Sequence, residues 1–482
     1  MARPHRIADW DAEDAAAWRD GNNVIARRNL IWSNVTGHIA FSIWYLWSVM
    51  VLFMPQSVYG FSTGDKLLLA ATATFVGAIV RIPYAMATTR FGGRNWAVFS
   101  SLVLLIPTVG AMVLLAHPGL PLWPYLVCAA LTGLGGGNYA ASLAHIEGFY
   151  PQRLKGFALG LTGGFTNLGS AAIQAVGLVV LATAGHQAPY AVCAVYLVLL
   201  AVAAVGAALF LDNLSHVIDV GHVRSVLRVP DSWAISVLYL CCSGSFLGFA
   251  FAFGQVLVHN FVAAGQTHAQ ASLHAAEIAF IGPLLGSVAR IVGGRLGDRF
   301  GGGYVTLSAL AAMAGAGGFL VAVSTHDDLT QGPRGGPTVH TMIGYIFGFI
   351  VLFICCGIGK GSVFKLIPSI FQNRSRALNV TAAERRDWER VMSGALIGFA
   401  GTLGGLGAMG VNLVLRQSYV SAGTETPAFW VFLLCYIGAT TLTWWRYVRP
   451  HGSSPPRSKP PRRTGRNQNG VGNAATEATT AR

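Results

Sequence analysis

The chain contains a series of long apolar stretches between Asn29 and Arg446, separated by short polar segments. Roughly 20 apolar residues in an α-helix cross a hydrocarbon layer about 30 Å thick. A soluble helix of this length would carry charged residues along its exposed face, which these stretches lack. The pattern predicts an all-α membrane protein with twelve transmembrane helices. We label them span 1 to span 12, at residues 29–54, 66–88, 95–116, 122–147, 157–184, 188–211, 232–262, 275–296, 304–324, 340–370, 391–415 and 427–446.

The distribution of charged residues predicts how the chain is oriented in the membrane. Of the 482 residues, 53% are hydrophobic and 11% are charged, yet the net charge is +14. Placing both termini in the cytoplasm puts most of the basic residues inside and leaves only Lys66, Arg334 and Arg416 in the outer loops. This asymmetry is the positive-inside rule. It predicts a multi-pass, monomeric protein of the inner (cytoplasmic) membrane and no nucleic-acid partner.

The ends of the chain are polar. Residues 1–28 are expected to form a cytoplasmic segment with a short surface helix and no cleavable signal peptide. The segment 447–482 is expected to be a disordered basic tail. All seven cysteines lie in apolar stretches and are interpreted as packing residues. The spans carry no metal-ligand cluster, nucleophile–base pair or cofactor motif, so we predict neither a metal, nor a cofactor, nor an enzyme.

The two halves of the chain share a repeated sequence pattern. Residues 77–93 (GAIVRIPYAMATTRFGG) align without gaps with residues 286–302 (GSVARIVGGRLGDRFGG). GLGGGNY at 133–139 matches GIGKGSV at 357–363, and GLTGGFTNLG at 160–169 matches GFAGTLGGLG at 398–407. The prediction is therefore two pseudo-symmetric six-helix halves, 29–211 and 232–446, joined by a cytoplasmic linker at 212–231. That is the architecture of the major facilitator superfamily, whose substrate sites lie near the bilayer midplane between the halves.

The repeated RFGG sequences fall in the loops after spans 2 and 8 and resemble the cytoplasmic loop signature of that superfamily. The first copy lacks an acidic residue equivalent to Asp298. We interpret these loops as gating hinges rather than as substrate ligands. Their residues are Arg90, Gly92, Gly93, Asp298 and Arg299.

Two arginines are predicted deep in the membrane. Arg81 and Arg290 each precede a loop arginine by nine residues, which corresponds to about 13 Å of helix. An arginine near the bilayer centre costs about 2.5–3.5 kcal/mol or more, so it should face a polar cavity or a partner. Structural pairing with carboxylates is the alternative, but no acidic residue shares this depth. Two cations at equivalent positions of the halves therefore predict a shared site for a planar oxyanion.

Glycines leave one face of spans 5 and 11 nearly free of side chains. Close helix packing explains such a face as well as a narrow pore for a small solute does. Asn167 adds a hydrogen-bond donor that packing does not require. The glycines that matter for the site are Gly163, Gly164, Gly401, Gly404 and Gly405.

Several segments resemble the nitrate/nitrite porter family of the major facilitator superfamily: 76–96, 138–152, 156–174, 236–250 and 282–302. The resemblance implies that Arg81 and Arg290 clamp nitrate or nitrite. It implies that Tyr239 lines the site and that the glycine-rich segments of spans 5 and 11, with Asn167, are the family's two signatures. It also implies an aromatic sandwich formed by Tyr139 and by Phe41 or Trp44.

The chain departs from the family pattern at a few positions. Ser243 stands where phenylalanine is frequent, and Lys360 and Lys365 are additional cations on span 10. His145 and Glu147 replace neutral residues near the inner end of span 4. Either residue is a candidate proton carrier if it faces the cavity. Local hydrogen bonding of His145, and pairing of Glu147 with Arg153 or Lys155, are the alternatives.

The sequence thus predicts a secondary transporter of nitrate and nitrite, working by exchange of the two anions or by nitrate:proton symport. Two alternatives stay open. One is a major facilitator porter for another small organic or inorganic oxyanion, because paired arginines also suit carboxylates. The other is a membrane sensor that binds an anion without transporting it.

Overall fold

Apolar stretches of the sequence form helices, as predicted, in the computed structural model. The structure describes residues 5–7, 9–185, 187–214, 225–331, 336–376, 378 and 380–449. Much of the predicted linker and the basic tail from residue 450 onward lie outside the described residues. The first six spans comprise Asn23–Trp44 with Leu46–Met50, Thr63–Ile79 with Arg81–Phe91, Gly93–Val103 with Leu105–Ala116, Leu122–Thr132 with Leu134–Phe149, Gln152–Ala184, and Pro189–Phe210.

The last six spans follow the same order after the linker. Span 7 is interrupted by one π-helical turn, Leu240–Gly244, of the kind often found at functional sites. Their helices are Pro230–Tyr239 with Ser245–Ala263, His268–Ala279 with Ile281–Phe300, Gly302–Gln331, Val339–Ser375, Ala382–Ala422, and Thr426–Thr443.

By length and composition, the described residues contain nine helices able to cross a membrane, or eleven if the two bent pairs of spans 1 and 2 are counted. The sequence predicts twelve. The difference lies in span 4, whose two helices have 11 and 16 residues and are separately too short for that count. We keep the twelve labels for these helical segments.

Proline breaks three of the spans in the same way. A proline lacks the N–H that would bond to the carbonyl four residues earlier, and its ring clashes with that carbonyl. Pro83 accordingly follows a break at Val80, where the two helices of span 2 meet at an angle of 41°. Pro107 and Pro283 follow breaks at Leu104 and Phe280. The break at Val80 makes Arg81 the first residue of a new helix.

The N-terminal segment packs on the end of the first half. Residues Ala15–Ala17 form a short helix, and the helix of span 1 begins at Asn23 rather than near residue 29. Trp18 is buried against Tyr150, with ring centroids 5.7 Å apart. Strand β1 (Arg6–Ile7) pairs in parallel with strand β2 (Asn213–Leu214). These contacts tie the start of the chain to the residues that follow span 6.

The helices run between two faces of the molecule. The linker face carries β1, β2 and the loops at Gly92 and Gly301, and the far face carries residues 54–62 and 264–267. Gly92 and Gly301 both end their helices with φ of 89°, a conformation that favours glycine. The two RFGG loops therefore share one backbone conformation as well as one sequence.

At the far face, the first six spans pack closely on the last six. Ser272 donates to the carbonyl of Leu52 at 2.8 Å, and Thr63 Oγ1 lies 3.3 Å from His259 Nδ1. A Cβ added to Gly405 of span 11 would lie 2.6 Å from the Cβ of Ala78 in span 2. These contacts close the far face, because spans 2 and 11 approach too closely at Gly405 to admit even one added carbon.

Toward the linker face, spans 5 and 11 each have an open side. Gly160 and Gly398 lie one helical turn from Gly163 and Gly401, on the same sides of spans 5 and 11. Both are exposed, and an added Cβ at either would meet no described atom within 4 Å. The molecule is therefore open toward the linker face and closed at the far face.

Candidate anion-binding site

Arg81 lies buried where the two halves meet. Its side chain is 4% exposed, and its Cζ lies 5.3 Å from the ring centroid of Trp44 and 5.2 Å from that of Tyr139. Its Nη1 donates to the carbonyl oxygen of Gly401, on span 11 of the other half. Its Nε has no hydrogen-bond partner among the described residues. One donor of this guanidinium is thus buried and unsatisfied.

Arg290 occupies the corresponding place in the second half. Its Nη2 donates to the hydroxyl of Tyr139 at 2.9 Å, and its Nη1 lies 3.4 Å from the carbonyl oxygen of Gly163. Its Cζ lies 5.9 Å from the ring centroid of Tyr139 and 5.3 Å from that of Phe364. Aromatic faces attract a cation and offset part of its desolvation.

The two arginines cross between the halves in a symmetric way. Arg81 of span 2 reaches a carbonyl of span 11, and Arg290 of span 8 reaches a carbonyl of span 5. The two acceptors, Gly401 and Gly163, are themselves equivalent positions of the sequence repeat. Both guanidinium groups contact the ring of Tyr139, so their Cζ atoms lie no more than about 11 Å apart. The repeat thus generates one site rather than two.

Among the described residues, neither arginine has a carboxylate partner and no ion pair includes Arg81 or Arg290. Three acidic residues near the ends of the spans are engaged at the linker face instead. Glu147 pairs with Lys155 at 3.7 Å, Asp212 with Arg28, and Asp231 with Arg374 and Arg446 at 2.8 and 2.6 Å. The site therefore holds two positive charges with no described carboxylate beside them. An anion is the ligand that this arrangement favours.

Aromatic rings and glycines shape the remaining wall. Tyr239 is 2% exposed and stacks on Phe364, with centroids 4.6 Å apart and planes at 11°. A Cβ added to Gly404 would lie 3.0 Å from the ring of Tyr239, and one added to Gly163 would lie 3.2 Å from Arg290 Nη2. A larger residue at Gly404 or Gly163 would press against Tyr239 or Arg290, so glycine at these positions lets the two side chains lie where they do.

The other predicted residues of the site support it less directly. Asn167 is buried and donates to the carbonyl of Gly163 at 2.7 Å. A Cβ added to Gly164 would make an ordinary van der Waals contact with Ile291 of the other half, at 3.9 Å, so Gly164 lies between the halves but glycine is not required there by the packing. Phe41 lies behind Tyr139, with centroids 6.3 Å apart, whereas Trp44 is the aromatic residue of span 1 that contacts Arg81.

The two candidate proton carriers lie apart from the arginines. His145 is buried, with Nε2 3.3 Å from Asn29 Oδ1 and its ring in edge contact with Phe149. Its described contacts are all within the first half. Glu147 forms its ion pair with Lys155 at the linker face. Both therefore adopt the local arrangements considered as alternatives to proton transfer.

The RFGG loops also lie away from the arginines, on the linker face. Arg90 and Arg299 are exposed and lie over the rings of Phe91 and Phe300, at 5.9 and 5.1 Å. Asp298 pairs with Lys365 at 2.8 Å. In the first half, a Cβ at Gly92 would overlap Asn213 of β2, and one at Gly93 would overlap the imidazole of His145. The loops thus pack differently in the two halves.

Sequence analysis did not identify Phe364 as part of the site. This residue contacts both Arg290 and Tyr239. The available signal was its place directly after the glycine-rich segment GIGKGSV, which matches the segment that ends in Tyr139. The two aromatic residues are not equivalent in that alignment, so the repeat pointed to Val363 instead.

Two repeated helical halves with a buried charged site between them define a membrane carrier. A family model described as "Major Facilitator Superfamily" matches residues 36–410. The chain is similar to the nitrate/nitrite transporter NarU of Escherichia coli (strain K12), at 31% identity over 92% of this chain and 96% of that protein. It is also similar to the probable nitrate/nitrite antiporter NarK2 of Thermus thermophilus, at 26% identity over 93% and 98%.

Solved structures give the same fold. The D-xylose-proton symporter matches with a TM-score of 0.62 at 14% identity, covering 88% of this chain and 98% of that one. The nucleoside transporter NupG matches with a TM-score of 0.57 at 11% identity, covering 88% and 100%. The chain belongs to the major facilitator superfamily and, within it, to the nitrate/nitrite porter family. It is a multi-pass membrane protein and a secondary transporter, not an enzyme.

Proposed function

We propose that this protein transports nitrate and nitrite across the cytoplasmic membrane by alternating access. The observation that carries the proposal is the pair Arg81 and Arg290, which lie between the halves and have no carboxylate partner among the residues that the structure describes. A guanidinium binds a planar oxyanion through two parallel N–H donors. The names of the similar proteins, a nitrate/nitrite transporter and a probable nitrate/nitrite antiporter, support nitrate and nitrite as the oxyanions.

We place both termini and the linker face in the cytoplasm, in accord with the positive-inside rule. With this orientation, the structure is the inward-facing state of a monomeric carrier. The far face, closed by the contacts between spans 2 and 11, is then the outer side. In this state the site exchanges its anion with the cytoplasm, and after the halves rock it exchanges its anion with the outside.

In this mechanism, the anion replaces the glycine carbonyls as hydrogen-bond acceptor. Arg81 and Arg290 now donate to Gly401 and Gly163, which are neutral acceptors and therefore weaker partners than an oxyanion. A bound nitrate accepts from both guanidinium groups and offsets their mutual repulsion. The halves can then close around it on the cytoplasmic side, since the two like charges no longer oppose that closure.

Repulsion between the two arginines also affects whether the carrier works by exchange or by symport. An empty site brings two permanent cations together, which resists reorientation without an anion and favours exchange of nitrate for nitrite. Symport requires in addition a group that binds a proton together with nitrate. Both modes use the same pair of arginines, so the site residues proposed here do not depend on the choice between them.

The test is uptake of labelled nitrate into proteoliposomes that are empty or preloaded with nitrite, with and without an inward proton gradient. Arg81→Lys and Arg290→Lys should each lower uptake by about tenfold or more. The reason is that lysine keeps the charge but loses the bidentate donors, and hydrogen bonds to charged groups contribute about 1.5–3 kcal/mol. Uptake only against internal nitrite identifies exchange, and gradient-driven uptake into empty vesicles identifies symport.

Arg295→Lys is the matched control, because Arg295 lies exposed on the same helix as Arg290 and outside the site. It should transport nitrate as the unaltered protein does. Folded protein that moves no nitrate under either condition would refute the proposal. Equal activity of the three lysine variants would refute the role of the two arginines.

A porter for organic anions is the second candidate, because carboxylates have the same fork of oxygens. At Gly163 and Gly404 the helix backbone lies close to Arg290 and Tyr239, and this close spacing favours a small ligand over a bulky one. Competition of nitrate uptake by formate, acetate and a larger carboxylate distinguishes the candidates. Stronger inhibition by the larger anion would favour the organic-anion porter, and nitrate binding without uptake would indicate a sensor.

A further inference from the structure

A third cation lies buried near the two arginines. Lys360, in the glycine-rich part of span 10, is 2% exposed. Its Nζ lies 4.0 Å from the ring centroid of Phe246, itself buried on span 7. No ion pair or hydrogen bond is formed by this ammonium group within the part of the chain that the structure describes. Its charge is therefore stabilised, among the described contacts, by the face of the Phe246 ring.

Lys360 is packed into the same wall as the candidate anion site. Gly361, the next residue, packs so closely on span 8 that a Cβ there would overlap the carbonyl oxygen of Arg290. Phe364 lies one turn farther along the same face of span 10 and contacts both Arg290 and Tyr239. The side chain of Lys360 thus belongs to a helix face that contacts the site directly.

The charged and titratable groups around Lys360 leave its charge uncompensated. Arg290 and Arg81 both repel its ammonium group, and the other titratable groups that act on it are the thiols of Cys242 and Cys356. A cation–π contact contributes about 2 kcal/mol when desolvated, whereas removing an ion from water costs several kcal/mol. An arginine in this position would have to stay charged, but a lysine can release its proton.

We propose that Lys360 is the proton-carrying group of this transporter. When the site is empty, the side chain is a neutral amine, because three cations would otherwise share one buried region. When nitrate binds, its negative charge favours the ammonium, so the amine takes up one proton from the same side of the membrane. When nitrate leaves on the other side, the N–H bond breaks and the proton leaves with it. The inference rests on the proposed nitrate transport and selects symport with one proton per anion.

The position of Lys360 distinguishes it from the histidine considered earlier. His145 makes its described contacts within the first half, with Asn29 and Phe149. Lys360 lies on the face of span 10 that also carries Phe364, a direct contact of Arg290, so the charge of a bound anion acts on it. Coupling requires that binding of the anion strengthen binding of the proton, and the reverse. This electrostatic coupling weakens as the distance between the two charges grows.

The test measures proton uptake when nitrate binds to the purified protein in weakly buffered detergent solution near neutral pH. The unaltered protein should take up close to one proton per nitrate bound, and nitrate affinity should fall up to about tenfold per unit rise in pH. Lys360→Met and Lys360→Arg should take up no proton. The arginine variant is the stricter test, because it keeps the charge and should still bind nitrate.

Lys365→Gln is the control, since Lys365 is a half-exposed lysine of the same helix whose partner is Asp298. It should retain proton uptake. Unchanged proton uptake in Lys360→Arg, or its loss in His145→Gln instead, would overturn the proposal. Nitrate binding without proton uptake in the unaltered protein would also overturn it, while leaving nitrate transport intact. Failure of the unaltered protein to bind nitrate would instead refute the proposed function itself.

Discussion

Tyr139 has a double role at the centre of the candidate site. Its ring faces both guanidinium groups, and its hydroxyl accepts a hydrogen bond from Arg290. One side chain thus offsets part of the desolvation of two cations. The ring is in turn supported by Phe41, which is fully buried. The aromatic residue is therefore as much a part of the charged site as the arginines are.

Substitutions at Tyr139 should separate the contribution of its ring from that of its hydroxyl. Tyr139→Phe keeps the ring and frees one donor of Arg290 for the anion. We expect its KM for nitrate uptake to change by less than about tenfold, since the freed donor can bond to the anion in place of the lost hydroxyl. Tyr139→Leu removes two cation–π contacts of about 0.5–2 kcal/mol each, so its KM should rise by about tenfold or more. Equal KM values for the two variants would contradict this account.

At the scale of residues, the depth of the arginines was predictable and their partners were not. Counting along the helix places Arg81 and Arg290 near the membrane centre. The same count says nothing about Gly401 and Gly163, because those carbonyls lie on helices far away in sequence. It also misses Phe364, because stacking on Tyr239 depends on how spans 7 and 10 pack.

At the scale of elements, glycines of spans 5 and 11 serve two purposes that the sequence does not separate. Gly163 and Gly404 make room for side chains of the site, whereas Gly405 lets helices of opposite halves approach. Gly160 and Gly398 lie on the open side, with no described atom near an added Cβ. A glycine-rich face thus combines a binding surface with a contact surface that must open and close.

A methyl group at Gly405 should shift the equilibrium between the two states. Its Cβ would lie 2.6 Å from the Cβ of Ala78, so spans 2 and 11 must move apart at the far face. We expect Gly405→Ala to favour the state that is open toward that face. The measurement is the labelling rate of a cysteine placed between these spans, with a membrane-impermeant thiol reagent. Gly398→Ala adds the same methyl in open space and should label as the unaltered chain does; equal labelling in both variants would contradict the prediction.

At the scale of the whole molecule, asymmetry between the faces defines the state. Contacts such as Ser272 with Leu52 and Thr63 with His259 join the halves on the far side of the arginines. Toward the linker face, spans 5 and 11 each have an open side. The arginines lie at the boundary between the two regions. A ligand bound there touches both halves, which is the requirement for coupling its binding to their movement.

The orientation of the molecule can be tested with two single cysteines. Ala264 is exposed at the far face, and Ala16 is exposed in the N-terminal segment at the linker face. In intact cells, an impermeant thiol reagent should label Ala264→Cys, whereas Ala16→Cys should label only after the membrane is permeabilised. The unaltered chain supplies the background, because six of its cysteines are buried and Cys435 is exposed on span 12. The reverse pattern would invert the proposed topology.

The sequence alone determined the class of fold and the charge of the site. Apolar length specifies helices that cross a membrane, because the hydrocarbon layer has a fixed thickness and offers no hydrogen bonds to any other open structure. Internal repetition specifies two similar halves, and equivalent arginines specify two cations at corresponding places in them. Each of these follows from local composition or from one half compared with the other.

Only the tertiary structure decided which residues meet. It separates His145 and Glu147 from the arginines, brings Phe364 and Lys360 to the site wall, and assigns different glycines to the site and to helix packing. It also decides which face is open. These properties depend on the angles at which helices cross and on breaks such as that at Val80. Small rotations of a helix exchange the residues that face the cavity, so periodicity along the chain does not specify them.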